Sequence, residues 1–322
     1  MNKIQLLIPD LLSLPELLSP RAGLQLPALR MWLARARVEP LAETTLEGWL
    51  CDAFGVSAIA ATTLQAEGLA PDASHWMRAD PVHLRIVHDK LILEPVSLSA
   101  DEAQQFVASL NAHFAADGLI FSAPHPRRWY LATPDAPRIA TRHFSSVENA
   151  DVRNRLPDGE DAGHWHRMLN EMQMLLHTHP LNEAREARGE LPVNSVWLWG
   201  EGSASGALRR PCAGASGDSE LARMFAQLAG VPWLTRDEAL AATGDVLFVW
   251  EGLGRAARRG DLNAWRAEVE ALEQDCIAPL LASLRAGKVG QVVLDVPQAE
   301  GARRFGLSRG DLWKFWRRFP SP

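Results

Sequence analysis

The 322-residue sequence predicts an α/β protein, a mostly parallel sheet with helices on both faces, interrupted by an inserted α+β subdomain. From about residue 190 onward, apolar runs of strand length alternate with amphipathic helical stretches. The chain opens on a similar apolar run at 3–8, which supplies the sheet with an early strand. Between them, residues 81–162 carry hairpin and capping signals instead. The expected division is therefore a core of residues 1–80 and 163–322 with residues 81–162 inserted into it.

Taken in order, the first run ends at Pro9-Asp10, so a carboxylate stands at the carboxyl end of a strand, where α/β proteins collect chemistry. Helical spacing follows over 27–37 and Leu46–Phe54, and Ser57, Thr62 and Thr63 then bring hydroxyls. The stretch ADPVHLRIVHDKLILEP reads as two strands about His88-Asp89. Ser99 and Glu102 form a capping box for a helix burying Ala103, Phe106, Val107, Leu110 and Phe114. Strands at 119–122 and 129–131 complete the insert.

The stretch from His164 to Gly202 holds an amphipathic helix on Trp165, Met168, Leu169, Met172, Leu175 and Leu176, ended by Pro180. A second helix capped by Asn182 closes at Gly189, and a strand at 193–199 runs into Gly200-Glu201-Gly202. Bare backbone amides after a strand let an anion approach closely, although a plain tight turn accounts for the same glycines. Residues 202–217 read as a loop. Helix Glu220–Leu228, a strand at 231–234, a strand at 245–250, a long helix over 262–284 and strand Gln291–Val296 follow.

Composition narrows the function. At 47% apolar the chain can bury a large core, and a net charge of −6 with pI near 5.9 gives no global attraction to nucleic acid or to a membrane. Neither is expected as a partner. Three scattered cysteines without a CxxC pair suit a reducing, cytoplasmic home. Pro9, Asp10 and Pro15 interrupt the apolar opening, so no signal peptide is expected. His164/His166 and His177/His179 lie two apart and face different sides of a helix, so neither pair is a ready chelate. Asp10, Glu251 and Asp295 each end an apolar strand and would converge on one sheet edge as oxygen ligands. The terminal LSRGDLWKFWRRFPSP mixes aromatics with bases, and the simplest reading docks the aromatics of an amphipathic helix onto the core.

The blocks ADPVHLRIVHDKLIL, LNAHFAADGLIF with PRRWYL, and NEMQMLLHTHPLNEAREARGELPVNSVWLWGEG resemble the bacterial RpfE-type regulatory family over Ala79 to Gly202. That family is in turn similar to archaeal-type cofactor-independent phosphoglycerate mutases of the alkaline phosphatase superfamily, whose members hold two metals around a phosphorylated serine or threonine. The resemblance implies an alkaline-phosphatase-like core, with Asp10, Glu251 and Asp295 at metal positions and Ser57 nearest the nucleophile. It further implies His179, Asn182, Arg185, Asn194, Gly200, Gly202 and Arg255 at ligand positions. The departures are Leu11 where a glycine is expected, Arg255 about where a histidine should stand, and Val296 in place of another. Lost imidazoles remove ligand count and geometry together, so a two-metal site is not expected, and at most one Mg or Mn ion would be held. The expected function is regulatory, through a phosphorylated small molecule or a protein partner; the alternative is an active metal-dependent mutase or phosphatase-like enzyme.

Overall fold

A computed structural model describes residues 2–18, 23–71, 75–203, 206–298 and 300–317. Its strands are β1 (Lys3–Leu7), β2 (Arg37–Pro40), β3 (His75–Val87), β4 (Lys90–Pro95), β5 (Ile120–His125), β6 (Arg128–Thr133), β7 (Ser195–Gly202), β8 (Gly214–Gly217), β9 (Val246–Val249), β10 (Gln291–Val296) and β11 (Arg303–Ser308). The chain divides into two units, one made of residues 1–55 and 208–322, the other of residues 56–207.

In the first unit the sheet order is β2-β11-β10-β1-β9-β8. The four strands β10, β1, β9 and β8 are parallel, and β11 and β2 extend them antiparallel at one edge. The fold is thus α/β with a mostly parallel sheet. Alternation sends Ile4, Leu6, Phe248, Val292 and Leu294 into a core with Trp32 and Trp265 from the helices. The helix expected over 262–284 is three pieces: Leu262–Leu272, a π turn at Glu273–Ile277 and Ala278–Arg285. Pro279 lacks the N–H that a continuous ladder would need, and the turn before it widens. Glu273 within that turn is buried and accepts from the N–H groups of Ala28 (2.6 Å) and Leu29 (2.8 Å), capping helix Pro27–Arg35.

The second unit has β3 as its long central strand, paired antiparallel with β4, β6 and β7, and β5 pairs with β6. Its core joins Met77, Phe106, Trp129, Trp165, Met172 and Val196.

The second compact unit spans residues 56–207, whereas the sequence sets the expected insert at residues 81–162. Strand β7, expected in the parallel sheet with β1, lies antiparallel to β3 with Trp197 opposite Asp80. A continuous apolar run such as VWLW carries no mark of parallel or antiparallel pairing. The supposed loop 202–217 contains β8, while the strand expected at 231–234 is reduced to a bridge between Trp233 and Ala215. Among the described residues no helix is long and apolar enough to cross a membrane.

Candidate functional site at the carboxyl edge of the parallel sheet

Three parallel strands deliver acids to one edge of the first unit. Asp10 follows β1 in a left-handed backbone conformation (φ 58°), Asp218 follows β8 and Glu251 follows β9. Backbone hydrogen bonds lock these exits together: the N–H of Trp250 donates to Leu7 O, that of Asp218 to Val249 O and that of Ile8 to Asp295 O.

Each of these three acids meets a guanidinium. Arg258 reaches Asp10 at 3.0 Å. Arg255, in helix Gly252–Arg258, reaches Asp218 at 2.8 Å and, four residues back, the helix's N-cap residue Glu251 at 3.5 Å. Asp218 also accepts from the N–H groups of Glu251 (2.6 Å) and Gly252 (2.8 Å). Gly254 gives this helix its close approach, since a side chain there would stand 3.2 Å from Pro9 O and 3.3 Å from the Asp10 carboxylate. Burial raises the Asp10 carboxyl above the usual range, Arg258 only partly opposing it. Burial likewise raises Glu251, against Arg255 and Ser219. Glu47, in the first turn of helix Leu46–Phe54, pushes both in the same direction.

Asp295 differs. It lies within β10, wholly buried, and its oxygens accept from Arg304 Nε (2.6 Å) and Nη2 (2.7 Å), Gln5 Nε2 (2.7 Å) and Trp49 Nε1 (3.1 Å). A carboxylate so fully hydrogen-bonded holds β10 to β11 and to helix Leu46–Phe54 and has no oxygen to spare. The set Asp10, Glu251 and Asp295 therefore does not fit a two-cation centre, because guanidinium groups take up the charge that metal ions would supply. Among the described residues no three His, Cys, Asp or Glu side chains are grouped to hold a metal ion.

The remaining expected positions lie in the second unit. Ser57 is exposed, just ahead of helix Ile59–Ala66. Thr45 is the hydroxyl beside Glu47 in the first unit, where it caps helix Leu46–Phe54 by accepting from Gly48 N–H. A threonine directly before an apolar helical run was the available signal. His179, rather than Asn182, caps helix Pro180–Ala187, so Pro180 starts that helix. His179 Nδ1 accepts from Leu181 N–H, which leaves the ring proton on Nε2 to donate to Ser109 Oγ at 3.0 Å. Burial holds the imidazole below the ordinary histidine range.

Asn182 and Asn194 stitch backbone, the first to Leu176 and Val193 and the second to both groups of Leu84. Arg185, 1% exposed, donates to Leu191 O and Ser97 O and pairs with Glu102 at 3.1 Å. Gly200 (φ 67°) and Gly202 (φ 144°) serve packing, because a Cβ would stand 3.0 Å from Ile59 Cβ in one case and 2.7 Å from Ala58 Cβ in the other. Those six residues build the second unit's frame. Of the loop expected to follow, residues 204 and 205 lie outside the described residues.

No family model matches the chain. Curated relatives share stretches with it. The 2,3-bisphosphoglycerate-independent phosphoglycerate mutase of Methanosarcina barkeri is 27% identical over 109 residues, 33% of this chain and 27% of that protein. The corresponding enzyme of Methanothrix thermoacetophila is 28% identical over 167 residues, 44% of this chain and 43% of that one. The chain thus matches less than half the length of these relatives. Among solved structures, the PH0037 protein from Pyrococcus horikoshii superposes with a TM-score of 0.54 at 13% identity, covering 95% of this chain and 87% of that one. A cofactor-independent phosphoglycerate mutase from Thermoplasma acidophilum gives 0.49 at 14% identity, covering 100% and 94%. The chain is a remote homologue of the archaeal cofactor-independent phosphoglycerate mutases.

Proposed function

We propose that this remote mutase homologue is a cytoplasmic regulatory protein of RpfE type that binds a phosphorylated small molecule without metal-dependent phosphoryl transfer. The observation that carries the reading is the pairing of Asp10 with Arg258 and of Asp218 and Glu251 with Arg255 at the sheet's carboxyl edge. A guanidinium fork matches a phosphate as well as a carboxylate, so a phosphorylated ligand would compete for the same donors. The raised carboxyls of Asp10 and Glu251 can take a proton when their arginines turn to the ligand, which avoids leaving buried bare anions. The regulatory part of the reading rests on the resemblance of Ala79 to Gly202, and the cytoplasmic part on three free cysteines.

Calorimetry with 3-phosphoglycerate and with inorganic phosphate in the presence of a chelator tests this, alongside a mutase assay with and without manganese. The expected result is chelator-insensitive binding, weakened at least roughly tenfold by Arg255→Ala, and no turnover. Two bound equivalents of manganese together with turnover would establish the alternative, an active metal-dependent mutase.

A further inference from the structure

The C-terminal turn departs from the docked amphipathic helix that its sequence suggests. Residues Arg309–Trp313 form a 3₁₀ turn, and Trp313, Phe315 and Trp316 are 76%, 76% and 66% exposed. The other ten of the twelve tryptophans are buried or half-buried, so such exposure is not the habit of this chain. Phe319 and Arg318 lie outside the described residues.

The turn is not a loose end. Ser308 and Asp311 cap it reciprocally, Lys314 pairs with Asp311, Arg35 donates to Leu312 O, and Arg317 donates to Arg35 O and Ala36 O at 3.4 Å. Leu312 packs against the core. The inward side is thus tied down while the three aromatics face out. Arg309, Lys314 and Arg317 sit among them and Arg35 and Arg37 stand on the adjoining helix end and edge strand; against these five bases stand Glu39 on the same edge strand and Asp311, which Lys314 pairs. A chain of net charge −6 therefore carries a local basic surface around an apolar wedge.

We propose that this turn docks on the surface of an anionic phospholipid bilayer. Tryptophan and phenylalanine settle at the headgroup boundary, and lysine and arginine beside them meet anionic headgroups. This is contact with a surface, which the overall charge did not lead one to expect. Single-stranded nucleic acid is the other polyanion such a mixture can meet, but it stacks on open ring faces lining a groove. Here Phe315 and Trp316, exposed just after the turn, close edge-to-face on each other at 5.4 Å and 78°. A compact wedge of that kind suits insertion better than base stacking.

The test is co-sedimentation of the full chain with vesicles of phosphatidylglycerol and phosphatidylcholine mixed, and of phosphatidylcholine alone. Binding is expected only to the mixed vesicles, with a fall of at least tenfold for Trp313→Ala/Trp316→Ala, for Lys314→Glu/Arg317→Glu and on raising salt. Unchanged melting would show that the fold is intact; the tryptophan pair, whose positions are exposed, decides the matter if loss of the Lys314 and Arg317 contacts disturbs the turn. No sedimentation with mixed vesicles overturns the proposal. So does binding of a single-stranded oligonucleotide lost in the same variants, or a dimer in light scattering that the variants dissociate, if vesicles are not bound.

Discussion

Arg258 holds Asp10 at 3.0 Å across 248 residues of chain, and the carboxyl nonetheless stays above its usual range because burial outweighs the guanidinium. Removing the arginine should therefore cost stability in a pH-dependent way. Arg258→Ala is expected to lower unfolding stability by about 1–2 kcal/mol near neutral pH, less than a fully buried pair because both side chains keep some solvent. A carboxyl whose folded value is raised gains protons on folding, so stability rises as pH falls toward that value. The deficit of the variant should shrink between pH 7.5 and 5 in urea titrations; a deficit that grows would contradict the account.

Asp295 separates a structural carboxylate from a metal ligand. Asp295→Asn keeps the shape but weakens four hydrogen bonds and unpairs Arg304, which is 36% exposed and can turn toward water. A loss of about 2–3 kcal/mol is expected, with chelator present or absent. A metal ligand would instead show a loss only in metal-loaded protein.

Asp10 and Glu251 were legible in the sequence, because an apolar run followed by a carboxylate needs no partner to be read, whereas Asp218 was missed with its strand and Asp295 lies within β10 rather than at its end. Their partners were another matter. Arg255 stands four residues after Glu251 and could be seen, but Arg258 and Asp10, or Arg304 and Trp49 around Asp295, are joined only by strand order. β8 was hidden in a Gly/Ala/Ser stretch because small residues pack a central strand without leaving a hydrophobic signature. The capping role of His179, set by its place before Pro180, was not read from the sequence, which offered Asn182 as the cap. The aromatic turn was expected to dock, by the ordinary logic of amphipathic spacing, and exposure at that position could be found only in three dimensions.

At Gly202 the backbone and the packing forbid a side chain for separate reasons. Gly202→Ala should destabilise the second unit by about 2–3 kcal/mol, combining the strain at φ 144° with the 2.7 Å approach to Ala58. Adding Ala58→Gly removes the contact but not the strain, so melting of the double variant should recover part of the loss. Full recovery would mean that the backbone carries none of it.

His179 should make the second unit sensitive to mild acid. Its Nδ1 accepts the Leu181 N–H and can do so only while unprotonated, and burial lowers its pKa with no acid nearby to oppose the effect. Ser109, the ring of Phe106 at 4.5 Å between centroids, and Gln105, Leu175 and Thr178 lie about it, and none supplies a counter-charge. For a histidine with a depressed folded value, the unfolded chain binds the proton first. Stability is then complete above the unfolded value of about 6.5 and falls as pH drops below it. Asn at this position is a neutral cap at every pH. His179→Asn should therefore lose a little stability at pH 8, where the bond to Ser109 is missing, and close or reverse that gap at pH 5.5. Parallel denaturant titrations at the two pH values read this directly, and a gap that is the same at both would show that His179 does not titrate with folding.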